Sequence, residues 1–227
     1  MVKGLLFDFN GTLFFDSEYH LRAFSSFYRH YGLPVKSDEY IVNNVFGRAN
    51  GEIFREEFIA DATDEEVAAF SESKEIKYRE LCDRHPEKFV LGDGVDDMLD
   101  YLVENSIPFC MATGSPYDNV KFYFDKLGIG KWFSLDNIVY CDGTFPGKPA
   151  PDIYRIAAQR LGLDVSECAV FEDGTSGIIS ANTAGAAKVI AVWEEGLPSP
   201  ITDSTRIDGA YHSFADWRQM LASIGII

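Results

Sequence analysis

Leu5-Leu6-Phe7-Asp8-Phe9-Asn10-Gly11-Thr12-Leu13 runs from a short apolar segment through a carboxylate into an Asn-Gly pair, and the reading of that pair decides the fold. Asn-Gly between apolar runs is the strongest short signal for a two-residue hairpin, which would open an antiparallel sheet here. The other reading makes Leu5-Leu6-Phe7 a buried parallel strand with Asp8 at its carboxyl end. The rest of the chain chooses between them.

Three more apolar runs are bounded by turn or polar residues: Phe109-Cys110-Met111-Ala112, Cys168-Ala169-Val170-Phe171 and Val189-Ile190-Ala191-Val192. Continuous apolar runs of this length are what strands buried on both faces require. Asn137-Ile138-Val139-Tyr140 is a further candidate. Between the runs lie helical patterns, such as Val95, Met98, Leu99, Leu102 and Val103, or Ile153, Ile156, Ala157 and Leu161 with Gly162 as a stop. Strands alternating with helices imply a doubly wound, Rossmann-like α/β sheet.

The alternation fails between residues 15 and 90, where helical signals succeed one another without a convincing strand. An inserted all-helical unit over 15–90, with 1–14 and 91–227 forming the α/β core, accounts for this. Its first helix starts at Asp16 or Ser17, carries Leu21, Phe24, Tyr28 and Tyr31 on one face, and ends before Gly32 and Pro34. A later one opens with Thr63 and Glu66 at capping-box spacing and runs through Val67, Phe70, Tyr78 and Leu81. Lys74 falls on that same stripe.

Hydrophobic residues make up 46% and charged residues 25% of the 227, the balance of a globular chain. With 20 Lys+Arg against 36 Asp+Glu the formal charge is -16, which repels nucleic acid and anionic membranes at long range. Cys82, Cys110, Cys141 and Cys168 are scattered, with no zinc-ligand spacing. The first apolar run is too short for a signal peptide, and no stretch of about 20 apolar residues occurs. A cytoplasmic location is expected.

In an open α/β sheet, ligands bind outside the carboxyl ends of the strands. The residues directly after the apolar runs are Asp8 with Asn10-Gly11-Thr12, then Thr113-Gly114-Ser115, then Glu172-Asp173-Gly174, and Lys148 lies in the connection Gly147-Lys148-Pro149. Together they supply what phosphoryl transfer needs: an attacking carboxylate, hard oxygen ligands for magnesium, a hydroxyl and an amide for phosphate oxygens, and a lysine to neutralise charge.

In this order the four segments resemble the motifs of the haloacid-dehalogenase-like hydrolases, in the branch with a helical cap after the first motif. Phe7–Leu13 is similar to the first motif, Ala112–Ser115 to the second, Gly147–Pro149 to the third, and Phe171–Asp173 with Gly177 and Ala184-Gly185 to the fourth. The resemblance implies that Asp8 attacks phosphorus to give an aspartyl-phosphate that water hydrolyses. It implies Mg2+ on Asp8, the Asn10 backbone carbonyl and Asp173, with Glu172 nearby. Thr113 and the Gly114 N–H would hold phosphoryl oxygens, with Lys148 offsetting their charge. His20, Arg48 in its cap loop and Lys74 are candidates for contact with substrate, although His20 could instead simply pack beside Phe24.

One residue departs from the pattern. Phosphatases and mutases of the family usually carry a second aspartate two residues after the nucleophile, as acid and then base, and here Asn10 stands there. An amide can do neither, and a positioned acid/base contributes about 10²–10⁴ in rate. Reduced turnover is expected, unless residue 10 was substituted to trap a complex, the leaving group needs no proton, or another group such as His20 supplies it. A phosphatase of a small phosphorylated metabolite is the leading reading. The alternatives are a β-phosphoglucomutase-like phosphomutase, which needs a second set of cations in the cap, and a catalytically weak phosphometabolite binder. A phospho-accepting receiver domain shares the residue types, but it carries its acceptor on a later strand and has no cap.

Overall fold

The computed structural model describes residues 1–85 and 89–227 of the chain. Its centre is β1 (Gly4–Phe7), buried throughout. Leu5 and Phe7 join one apolar layer and Leu6 the other, the two-residue alternation of a strand covered on both faces. Asn10-Gly11 is therefore not a hairpin turn. It lies in a tight loop in which the Phe9 carbonyl accepts from the amides of Thr12, Leu13 and Phe14.

From that loop the chain leaves the sheet for four helices. In α1 (Ser17–His30) the predicted stripe buries Leu21, Phe24 and Tyr28. Next come α2 (Asp38–Asn44), capped by the Ser37 side chain, and α3 (Asn50–Glu57). In α4 (Asp64–Asp83) the Thr63/Glu66 capping box is formed, and Phe70, Lys74, Tyr78 and Leu81 are buried. Leu21, Phe24, Tyr28, Ile41, Ile53, Phe54 and Phe70 make a separate apolar core among these helices, so the cap carries its own packing.

The chain returns through α5 (Val95–Glu104) to β2 (Phe109–Ala112), then α6 (Tyr117–Leu127) and β3 (Ile138–Val139). It continues through α7 (Asp152–Arg160), β4 (Cys168–Glu172), α8 (Thr175–Ala184), β5 (Lys188–Val192), β6 (Gly209–Tyr211) and α9 (Trp217–Ser223). The strand order is β3-β2-β1-β4-β5-β6, every pair parallel. Residues of α5, α6 and α9 pack with Leu5 and Phe7, and those of α7 and α8 with Leu6. Since β2 and β4 flank β1, the strand order reverses at β1, and the loops after these three strands diverge around a crevice.

Two readings of the sequence are adjusted. The run proposed over Asn137–Tyr140 is a strand only at Ile138–Val139, because Leu135–Asn137 is a 3-10 turn. The edge strand β6 was not foreseen. Among the described residues no helix is long and apolar enough to cross a membrane.

Candidate active site

The crevice is roofed by the cap and encloses a cavity of about 80 Å³. All ten residues singled out in the sequence line it: Asp8, Asn10, Thr113, Gly114, Lys148, Glu172 and Asp173 below, and His20, Arg48 and Lys74 from the cap.

Below the cavity, Lys148 joins the strand ends. It is 3% exposed, and its ammonium donates to Asp8 Oδ1 at 2.6 Å, Glu172 Oε1 at 2.5 Å and the Ala112 carbonyl at 3.3 Å. The end of β1, the end of β2 and the end of β4 thus share one cation. Burial works against that charge, but Asp8 and Glu172 outweigh it and push the lysine pKa up. Tyr154, buried in α7, donates to the same Glu172 oxygen. Sequence reasoning passed over Tyr154, which reads as one more apolar position on its helix.

Asp8, Glu172 and Asp173 each offer a carboxylate oxygen, all within 4.8 Å of one another. One lysine does not balance three carboxylates. Burial raises Asp8 to about 7, with Glu172 adding to the rise and Lys148 opposing it. Burial, with Asp8 and Glu172 alongside, holds Asp173 well above the usual carboxylate range. An enclosed set of hard oxygen donors with excess negative charge fits Mg2+, and no soft ligand accompanies it. Glu172 is the most committed of the three, because its Oε2 accepts from the amides of Asp173 at 3.1 Å and Gly174 at 3.2 Å as α8 begins.

Two glycines make this packing possible. A Cβ on Gly11, at φ +78°, would lie 1.9 Å from Asp173 Oδ2. On Gly177 it would lie 1.9 Å from Glu172 Oε1. A free glutamate would swing aside, but this one is held by Lys148, Tyr154 and two amides. Gly177→Ala is therefore expected to destabilise the protein by about 1–3 kcal/mol, the usual cost of overpacking. A thermal melt checks this, and an unchanged midpoint would show that Glu172 is free to move.

Asn10 faces the cap. Its Nδ2 donates to Asp16 Oδ2 at 2.6 Å and Tyr123 Oη at 2.8 Å, and its Oδ1 accepts from Ser115 Oγ at 2.8 Å and Thr113 Oγ1 at 3.3 Å. Asp16 can only accept, so it fixes which way the amide points. The Ser115 side chain caps no helix, since α6 begins after Pro116 with no side-chain cap bond. Asp16 does not cap α1 with its side chain either, and it instead takes the Gly11 amide at 3.0 Å and the Tyr78 hydroxyl. His20 stacks on Tyr78, ring centroids 4.2 Å apart, with Nε2 at 3.4 Å from Asp16 Oδ2.

The other cap candidates are already paired. Lys74 bonds Glu75 at 2.9 Å, and Glu75 also accepts from Asn50 and from Asn119 of α6. Burial would raise Glu75, but Lys74, His20 and the Asn50 amide pull it down to about 2. Arg48 lies 2.8 Å from Glu56 and 3.7 Å from Glu52. Together with Ser176 Oγ on the Phe46 carbonyl at 3.1 Å, the Asn119 contact ties cap to core.

A family model described as haloacid dehalogenase-like hydrolase matches residues 2–185. A crystal structure of a HAD hydrolase, family IA, variant 3, from Entamoeba histolytica is 35% identical, with TM-score 0.83 over 98% of this chain and 99% of that one. Validoxylamine A 7'-phosphate phosphatase of Streptomyces hygroscopicus subsp. limoneus is 28% identical over 191 residues, 82% of this chain and 83% of its own. Hexitol phosphatase A of Escherichia coli is 29% identical over 212 residues, 93% of this chain and 91% of its own. Sheet order, cap and the four converging segments agree with that match, and the chain belongs to the haloacid dehalogenase-like hydrolases.

Proposed function

We propose that the protein is a magnesium-dependent phosphatase of a small phosphorylated sugar or related metabolite, with Asp8 as nucleophile, the cap over 15–90 and the core over the remainder. The observation that carries this is the buried Lys148 bridging Asp8 and Glu172 beside Asp173, at the point where the strand order reverses. An Asp8 oxygen attacks phosphorus, the Thr113 hydroxyl and the Gly114 N–H hold phosphoryl oxygens, and Lys148 offsets their charge. Asp8, the Asn10 backbone carbonyl and Asp173, with Glu172 behind them, would hold Mg2+, which when bound neutralises charge on the phosphoryl group. The Asn10 amide transfers no proton, and without a substitute turnover falls by about 10²–10⁴.

Hydrolysis is favoured over a mutase reaction because a bisphosphate needs free cations in the cap. Arg48 and Lys74 are each neutralised by cap carboxylates. The relatives whose names specify phosphatases of small phosphorylated compounds support the same reading. The test is phosphate release from a panel of sugar, hexitol and nucleoside monophosphates, with Mg2+ and with EDTA. Release that stops in EDTA is expected, and none from any member with Mg2+ would overturn the proposal.

Proton competition gives a second check. With Asp8 raised to about 7 and Asp173 also raised well above the usual carboxylate range by burial, Mg2+ must displace protons below neutrality. Its affinity is expected to be about tenfold or more weaker at pH 5.5 than at pH 7.5 by titration calorimetry. Equal affinities would place the metal elsewhere.

A further inference from the structure

We infer that His20, oriented by Asp16, carries the proton that Asn10 cannot, an inference that rests on the phosphatase reading above. Asp16 is 1% exposed and receives Gly11 N–H, Asn10 Nδ2 and the Tyr78 hydroxyl. Among the described residues His20 is the one basic side chain paired with it. A buried carboxylate calls for a counter-charge, and the imidazole stacked on Tyr78 is placed to become one. The 3.4 Å contact is long for a hydrogen bond, as catalytic contacts often are before substrate binds.

With Nε2–H turned to Asp16, Nδ1 is the nitrogen left to exchange protons, and no described residue hydrogen-bonds to it. His20 lines the same cavity as Asp8. In the first half-reaction an Asp8 oxygen bonds phosphorus, the P–O bond to the leaving group breaks, and that oxygen takes the proton from Nδ1. In the second, water bonds phosphorus and gives its proton to Nδ1, and the P–O bond to Asp8 breaks, restoring the carboxylate. His20 is the catalytic residue and Asp16 the positioning residue.

The amide at residue 10 belongs to this device. An aspartate there would set a second carboxylate at the 2.6 Å that now separates Asn10 Nδ2 from Asp16 Oδ2, and the pair would have to share a proton. The carboxylate at 16 and the amide at 10 are complementary.

The experiment is rapid-quench turnover with Mg2+ of p-nitrophenyl phosphate, whose leaving group needs no proton, and of phenyl phosphate, whose leaving group does. In His20→Gln, and in Asp16→Asn, p-nitrophenyl phosphate is expected to give a burst of one p-nitrophenolate per enzyme and then a slow phase with phosphorylated Asp8 accumulating. Phenyl phosphate turnover should fall about 10²–10⁴-fold without a burst. Retained Mg2+ binding shows that the variants are folded. Equal losses on both esters with no burst in either folded variant, or an Asn10→Asp gain above about tenfold, would overturn the inference. If the wild type forms no phosphoenzyme from p-nitrophenyl phosphate, the phosphatase reading fails and takes this inference with it.

Discussion

Asp8→Asn is expected to abolish turnover, by roughly 10⁴–10⁶-fold as for removal of other catalytic nucleophiles, and at the same time to raise the thermal stability of the metal-free protein. The two effects share one cause. Asp8 is raised from 3.8 to about 7 by burial and by Glu172, against the pull of Lys148. A carboxyl that holds its proton more tightly when folded makes stability fall as pH rises from about 4 to about 7, and above 7 the whole deficit is present. An amide removes the deficit while still accepting from Lys148. The variant should therefore melt higher than the wild type at pH 8, by about 2–4 °C for each kcal/mol relieved in a chain of this size, and no higher near pH 4. Saturating Mg2+ should reverse the order, since it stabilises only a protein that binds it. Turnover within tenfold of wild type would remove Asp8 from the chemistry, and a melting point lowered at pH 8 would show that the site is not overcharged.

What was legible in the sequence was local or periodic. The Thr63/Glu66 capping box is a four-residue matter, and β1, β2, β4 and β5 announce themselves because strands buried on both faces must be apolar throughout. At the edge this signal fades: β6 is three residues of mixed exposure, Gly209–Tyr211, with one neighbour to satisfy. The lower half of the site was legible for the same reason, since polar residues that follow buried runs come to one end of a parallel sheet.

The upper half was not. Asp16 reads as a helix start, and so it is, yet its carboxylate turns to Asn10 and to Tyr78, 62 residues away. Lys74 was correctly placed on the buried stripe of α4, but its partner is its neighbour Glu75, which is anchored by Asn50 and Asn119 from two other helices. Spacing along one helix shows which side chains share a face. It does not show which charge on the next element meets them.

Lys148→Ala is expected to cost about 3–5 kcal/mol of stability, the range for removing one partner of a buried ion pair, and to abolish activity. All three ammonium protons are used, on Asp8, Glu172 and the Ala112 carbonyl, so truncation removes a donor from three acceptors at the junction of β1, β2 and β4, of which Glu172 keeps Tyr154 and two amides. Arginine would not substitute, because a planar fork cannot meet three acceptors arranged around one nitrogen. The loss should depend on pH in a stated direction. Lys148 is itself raised, so its contribution is intact across the neutral range. The carboxylates it leaves behind become less harmful as they protonate, and because Lys148 itself holds Asp8 down, Asp8 protonates at higher pH without it, so the gap to wild type should narrow as pH falls toward about 7, below which Asp8 holds its proton in both. The decisive measurement is a double-mutant cycle in metal-free buffer at pH 8. In the Asp8→Asn background one of the two stranded carboxylates is already neutral, so Lys148→Ala should cost less there, with a coupling of about 1–3 kcal/mol. Additive effects would mean that the lysine holds the strand ends together through packing and the Ala112 carbonyl alone, and the account of this site as carboxylates balanced by one shared cation would have to be given up.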